Sequence, residues 1–295
     1  MPARIPETVD AGTAAGHNAL QGPIGDLTTV NGAFTGGTKM AGRITVATFL
    51  AGWLLTTATY GAAAAQEEKD NVAPPGFRAL FNGRDFTGWK VPEGDNGHWK
   101  IIDGVIDYDA ESEARGDKSL WHTEHLKDFV LRVDWRIKET PYINPRIPYI
   151  LPDGTHARDI TGKEMTLALP DSDSGVYLRG AGKNQVNIWC WPIGSGEFYG
   201  YRMDTSMPPE VRAGVTPRHQ ADKPVGQWNR FEITMKGDRV TVVLNDVKVI
   251  DNAQLPGIAA TGPIALQHHG GKSNGQWNSP PSLVQFKNIY VKELK

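Results

Sequence analysis

The chain has 295 residues, 39% hydrophobic and 22% charged, the ordinary balance of a globular protein. A formal net charge of −2 leaves no basic excess with which to hold a nucleic acid by its phosphates. The single cysteine, Cys190, cannot close an intrachain disulfide, and no Cys/His spacing resembles a structural zinc site, so the fold rests on its core.

Residues 1–39 are rich in Gly, Ala and Thr and show no apolar period. Lys39, Met40 and Arg43 then precede an apolar run from Ile44 to Leu55 of about 12 residues, well short of the roughly 20 that span a bilayer. Ala63 and Ala65 form an A-x-A pattern before Gln66. A basic start, a short apolar centre and a small-residue end describe a secretory signal peptide, with Met40 a second candidate start. Residues 1–65 are therefore expected to be an extension and export signal, and the mature protein to be periplasmic or extracellular with no stable membrane insertion. No cysteine follows the cleavage pattern, which argues against lipid attachment. Residues 66–75, charged and then Pro-rich, are expected to be a flexible lead-in to one domain over 76–295.

From Phe77 the pattern is one of short strands and turns. Along 128–137, Phe129, Leu131, Val133, Trp135 and Ile137 alternate with Arg132, Asp134 and Arg136, as in a strand with one buried face. Val176 and Leu178 alternate with Tyr177 and Arg179. Val186, Ile188 and Cys190 alternate with Gln185, Asn187, Trp189 and Trp191. A meander follows over 230–250, its second turn at Asn245-Asp246, two residues that tolerate positive φ. Strands over 263–269 and 283–294 complete the set. With no sustained 3.6-residue period, the fold class is all-β, a two-sheet antiparallel sandwich.

The faces opposite the predicted core carry Arg132, Asp134, Arg136, Tyr177, Arg179, Gln185, Asn187 and Trp189. Flat aromatics stack on sugar rings, and Arg, Asn, Gln and Asp hydrogen-bond hydroxyls. The pattern predicts one concave, carbohydrate-binding face shared by Asp134, Arg136, Tyr177, Arg179, Gln185, Asn187 and Trp189. The competing expectation is that the Arg and Asp residues pair with each other across strands. The Pro-rich stretch 138–173 is a long irregular segment expected either to wall one end of the groove or to be a surface insertion.

Several segments, taken in order, resemble a known family. They are Phe77-Arg78-Ala79-Leu80-Phe81-Asn82-Gly83-Arg84-Asp85-Phe86-Thr87-Gly88-Trp89, Trp99-Lys100-Ile101-Ile102-Asp103-Gly104, Asp128-Phe129-Val130-Leu131, Asp173-Ser174-Gly175-Val176-Tyr177-Leu178-Arg179, Gln227-Trp228-Asn229 and Val284-Gln285-Phe286-Lys287-Asn288-Ile289. Together they resemble the 3-keto-disaccharide hydrolase domain. The resemblance covers about residues 77–295 and implies a jelly roll of the concanavalin A-like lectin/glucanase type. It also implies action on glycosides already oxidised to a ketone at C3. The sequence departs from the family where many members carry Glu-x-Gln: here Gln185 and Asn187 stand there, and Gln cannot act as a general base.

A 3-keto sugar has an acidified proton at C2. Its removal, with stabilisation of the enolate on O3, lets the C1 substituent leave, and water then adds back for a net hydrolysis. This needs a base and an electrophile on the ketone oxygen. Arg179 or Arg136 are candidate electrophiles, and a bound divalent metal is another. The base candidates are Glu197, in the loop Gly194 to Arg202 that also carries Tyr201, one of His268 and His269 on a late strand beside Gln267, and Asp134. The Glu-x-Asp-x-x-Glu run of sandwich glucanases is absent, as are a nucleophile elbow, a phosphate loop and a dinucleotide fingerprint. Two readings stand: cleavage of 3-keto-glycosides by elimination and hydration, and non-catalytic carbohydrate binding.

Overall fold

A computed structural model describes residues 69–295; the predicted export signal and the start of the lead-in lie outside them. The strands in chain order begin with β1 (Arg78–Ala79), β2 (Trp89–Lys90), β3 (Trp99–Ile102), β4 (Val105–Tyr108), β5 (Leu120–His122) and β6 (Phe129–Ile137). Then come β7 (Tyr142–Pro148), β8 (Thr166–Asp171), β9 (Asp173–Tyr177) and β10 (Gln185–Trp189). Two short helices, α1 (Tyr199–Arg202) and α2 (Pro209–Gly214), precede β11 (Asn229–Lys236), β12 (Arg239–Leu244) and β13 (Val247–Gln254). The last are β14 (Ala265–Leu266), β15 (Gly271–Ser273), β16 (Gln276–Ser279) and β17 (Val284–Glu293).

The strands form two antiparallel sheets. The larger runs β13-β12-β11-β6-β17-β4-β3, with β1 added against β17; the smaller runs β10-β9-β14-β5-β2. Alternation puts Leu131, Val133 and Trp135 of β6, Phe231 and Ile233 of β11 and Phe286 of β17 on one inner face. Val176, Val186, Ile188 and Leu266 of the smaller sheet face them across the core. Full burial of such side chains contributes about 1.5–3 kcal/mol each, and this layer holds the sheets together. The β12–β13 turn has Asn245 at φ 50 and Asp246 at φ 67, the positive-φ pair that the sequence predicts there.

Three expectations are changed. The stretch 138–173 is largely ordered as the β7–β8 hairpin; its register shifts between Asn144 and Ile147, where Pro145 sits in a bulge that needs no ladder N–H. The lead-in is tied down from Asp70 on: Asn71 donates its backbone N–H to Asn288 Oδ1 at 2.6 Å, and Lys287 Nζ bonds Asp70 at 2.7 Å. Most consequential, β6 lies in the larger sheet while β9 and β10 lie in the smaller one. The outer faces of a sandwich look away from each other, so Asp134 and Arg136 do not share a face with Tyr177, Gln185, Asn187 and Trp189. A period of two assigns a side chain to a face of its strand and is silent on which sheet that strand joins.

Candidate active site on the smaller sheet

β9 and β10 pair in register, Gln185 opposite Tyr177, Asn187 opposite Gly175 and Trp189 opposite Asp173. These residues form the outer face of the smaller sheet. A Cβ on Gly175 would lie 2.5 Å from Gln185 Nε2 and 2.7 Å from Val186 O, so only glycine lets the Gln185 carboxamide lie across the strands. Over this floor opens a cavity of about 370 Å³. Its floor and walls include Asp173, Gln185, Asn187, Trp189, Gln267 and His269, closed in by Asn144 of the β7–β8 hairpin and by Trp191, Tyr199 and Pro280. Trp189 and Trp191 stack at 4.0 Å with an interplanar angle of 4°, and Trp189 Nε1 donates to Gly194 O at 2.7 Å, which fixes the aromatic wall.

The polar groups of the cavity are largely unspent. Among the described residues, Gln185 Nε2 and Gln267 Oε1 are buried without a hydrogen-bond partner. Each such atom costs about 1–3 kcal/mol, a price the fold bears where a ligand completes the bonding. Burial pushes the Asp173 carboxyl up to about 7; neighbouring His269 pulls it down and Asp171 pushes it further up. His269 donates Nδ1–H to the Pro280 carbonyl at 2.6 Å, because a carbonyl can only accept, and this leaves Nε2 as the open nitrogen. The cavity thus holds a carboxylate poised near neutrality, an imidazole of fixed tautomer, three carboxamides on the sheet floor and an aromatic wall.

Of the residues that the sequence singles out, Gln185, Asn187, Trp189, Gln267 and His269 meet in this cavity. Tyr177 stands on the same face at its margin, stacked on Trp121 at 5.6 Å. The neighbouring His268 points the other way: its Nδ1 bonds the Tyr108 hydroxyl at 2.7 Å, and burial, with Lys118 adding to it, lowers its pKa to about 4.

The other candidates lie elsewhere, each for a physical reason. The β9 strand ends at Tyr177, and Arg179 adopts φ 56, which turns its side chain off the face. It is buried at the end of the sandwich, donating to Lys127 O at 2.6 Å, Gly237 O at 2.6 Å and Ala259 O at 3.2 Å, and pairing with Asp128 at 2.9 Å. Glu197 is fully buried in an ion pair with Arg202, which also meets His156 Nε2 at 2.9 Å and Gly154 O at 3.3 Å; the pair braces the loop beyond β7 against α1. Tyr201 is buried and donates to Pro256 O at 3.2 Å, while Tyr199, two residues earlier, lines the cavity. Asp134, on the larger sheet, accepts from Arg230 at 2.6 and 2.9 Å and from Asn288 at 2.8 Å. Arg136 donates to Gln285 at 2.5 Å and lies 4.7 Å over the Trp228 ring.

Asp173, Tyr199, Trp191 and Asn144 complete the cavity and were not among the sequence candidates. Asp173 was within reach of the alternation, since 173, 175 and 177 share a face. Asn144 depends on a hairpin that no period in the sequence announces. Among the described residues no three His, Cys, Asp or Glu side chains converge as a metal-ligand set, and no helix is long and apolar enough to cross a membrane.

The fold is similar to solved structures at low identity. A crystal structure of a candidate glycosyl hydrolase from Parabacteroides distasonis ATCC 8503 is 20% identical, covers 77% of this chain and 100% of its own, and superposes with a TM-score of 0.48. The carbohydrate-binding module CBM66 from Bacillus subtilis is 14% identical, covering 70% of this chain and 96% of its own with a TM-score of 0.34. Comparison with curated proteins finds no match. At the level of family the sequence is decisive: residues 76–292, which contain both sheets and every wall of the cavity, match the model of the 3-keto-alpha-glucoside-1,2-lyase-like domain, and the chain belongs to that family.

Proposed function

We propose that this exported domain cleaves glycosides bearing a ketone at C3, and that the cavity over β9 and β10 is where it does so. The observation that carries the reading is Asp173, a carboxylate pushed up to about 7 among unpartnered carboxamides. A base of that pKa is matched to a proton acidified by an adjacent carbonyl. The family description, a 1,2-lyase acting on 3-keto-α-glucosides, supports the same bond and the same substrate class.

In the step we propose, Asp173 takes the C2 proton and the C–H electrons move into an enolate on O3. The Gln185 amide N–H supplies a donor for that oxygen, in a site where desolvation strengthens the bond. As the C3 carbonyl re-forms, the electrons create a C1–C2 double bond and the C1–O bond breaks, the departing oxygen taking a proton. His269 Nε2 is placed to carry protons between these positions. Addition of water across C1–C2 returns a hydroxyl to C1 and a hydrogen to C2, and the sum is hydrolysis. Trp189, Trp191 and Tyr199 give the ring a flat wall, and Asn187 and Gln267 give its hydroxyls partners.

The direct test is incubation of the mature domain with 3-keto-trehalose, followed by detection of 3-keto-glucose or of its unsaturated precursor. Turnover by wild type that disappears in Asp173→Asn is the expected result; no product from wild type sinks the reading. A second reading is binding without catalysis. It is favoured by Gln185 and Asn187, neutral amides where many family members carry a carboxylate, and it requires sugar affinity that is indifferent to Asp173→Asn and accompanied by no product.

A further inference from the structure

A second cavity opens on the far side of the stacked tryptophan wall. It measures about 190 Å³ and is bounded by Trp135 and Ile137 at the end of β6, by Trp189, Cys190 and Trp191, by Gln220 and the run Asp222 to Val225, and by Asn229. The two cavities share Trp189 and Trp191 and no other residue. At roughly 30 Å³ per water, 190 Å³ is the space of about six waters, which suits one pyranose ring better than two.

Two buried polar atoms of its lining lack partners among the described residues: the Trp135 indole Nε1, a donor, and Asp222 Oδ1, an acceptor. Trp135 is 1% exposed and belongs to the inner face of the larger sheet, where an indole N–H without an acceptor is costly. Asp222 is held in place by its other oxygen, which accepts the Ser195 N–H at 2.9 Å. That leaves one unpaired donor and one unpaired acceptor on residues that line an aromatic-walled cavity. A hydroxyl group both donates and accepts, and adjacent hydroxyls on a flat ring satisfy the pair together. Cys190 takes no part as a charge, since burial, with Asp171 adding to it, pushes its thiol up to about 12.

We propose that this cavity is a second sugar-binding site, taking a single neutral pyranose whose hydroxyls accept from Trp135 Nε1 and donate to Asp222 Oδ1. The proposal rests on the carbohydrate reading of the domain but not on catalysis at Asp173, and its test reads binding separately from turnover. Crystals of the mature protein soaked in glucose are expected to show a sugar ring within contact of both atoms. Calorimetric titration with glucose in a Gln185→Ala/Asn187→Ala background, which weakens the first cavity, is expected to retain a binding event. In that background Trp135→Phe, which keeps the aromatic bulk and removes the N–H, is expected to weaken glucose binding about tenfold. Val225→Trp is expected to abolish it by filling the mouth, and because Val225 is exposed that variant is decisive if Trp135→Phe fails to fold. Glucose found only in the Asp173 cavity, or an affinity untouched by Val225→Trp, overturns the proposal. Neither result bears on whether wild type turns over 3-keto-trehalose.

Discussion

The two sheets carry similar polar residues on their outer faces and use them in opposite ways. On the larger sheet the charges are spent on one another: Arg132 bonds Glu232 at 2.8 Å, Arg230 clamps Asp134, Lys138 bonds Asp107 at 3.0 Å, and Arg136 bonds Gln285. On the smaller sheet Gln185 and Gln267 each keep a buried atom without a protein partner, and the Asp173 carboxyl is shifted by burial rather than stabilised by donors. Paired groups of the first kind rigidify a surface and contribute little each. Unpaired groups of the second kind destabilise the empty fold, and a protein keeps them where something else will bind. Polarity on an outer face is thus weak evidence for a site, and unsatisfied polarity gathered around a cavity is stronger. Glu197 Oε2 and Arg202 Nη2 are also buried without a partner among the described residues, but inside an ion pair that lines neither cavity.

The sharpest way to break this contrast is at Asp173. Asp173→Asn keeps the shape and removes the base, so turnover of 3-keto-trehalose is expected to fall by about 10²–10⁴. The same change is expected to stabilise the fold at alkaline pH. The folded carboxyl titrates at about 7 and the unfolded one near 3.9, so between those values the folded state holds a proton the unfolded state has lost. Stability therefore falls as pH rises from about 4 to 7 and stays lower above, while activity rises through the same upper limit. At pH 8 the variant should melt higher by several degrees, since a shift of about three pKa units is worth about 4 kcal/mol. A variant that loses activity and stability together would instead mark Asp173 as a structural residue.

Arg179 marks the opposite case, a residue that looked functional in the sequence and is spent on the fold. Arg179→Ala leaves three carbonyls and Asp128 without their shared donor at a buried position. The expected cost is about 3–5 kcal/mol of stability, measured by denaturant melting. At temperatures where the variant stays folded, kcat should be close to wild type. A folded, stable and inactive Arg179→Ala would return this residue to the chemistry.

These two residues show where the sequence was legible. Alternation over 128–137, 175–179 and 185–191 separates core from surface because each strand has one buried face, and it places Gln185, Asn187 and Trp189 together because they sit two apart on one strand. It follows Tyr177 correctly and loses Arg179 two residues later, since nothing in the alternation shows that the strand has ended and φ has turned positive. It cannot assign β6 to a sheet, because strand order is set by long-range pairing. Loop glycines and tyrosines, not alternation, point to Glu197, although backbone pairing of Asn187 with Gly196 and Glu197 draws Glu197 inward to Arg202. The pairing state of a polar group, the property that separates the two outer faces, is tertiary and has no period.

A smaller effect sharpens the floor of the site. Gln185→Ala removes one neutral donor from the cavity while leaving Asp173 and His269 in place. The expected loss in kcat/KM is about tenfold, the worth of one hydrogen bond of about 1.4 kcal/mol. Thermal stability should be unchanged or slightly raised, because an unpartnered buried amide goes with the side chain. Gln185→Glu tests the family's more usual residue at this position: a second carboxylate beside Asp173 is expected to push the Asp173 pKa higher and shift the rising limb of the activity profile to higher pH.

The smallest expected effect is also the one that most directly compares the two faces. Arg136 had the sequence credentials of a sugar ligand, an arginine on an aromatic-rich strand, and the fold places it on the larger sheet, stacked over Trp228 and bonded to Gln285. Arg136→Ala removes one cation–π contact and one side-chain hydrogen bond at a partly exposed position, together worth about 1 kcal/mol or less. Lys287 lies 4.6 Å over the same Trp228 ring and keeps that ring's cationic contact. Glucose affinity and turnover of 3-keto-trehalose should both stay within about twofold of wild type. A clear loss of sugar binding in Arg136→Ala, with melting unchanged, would move the binding face to the larger sheet, and the unpaired groups over β9 and β10 would then need another explanation.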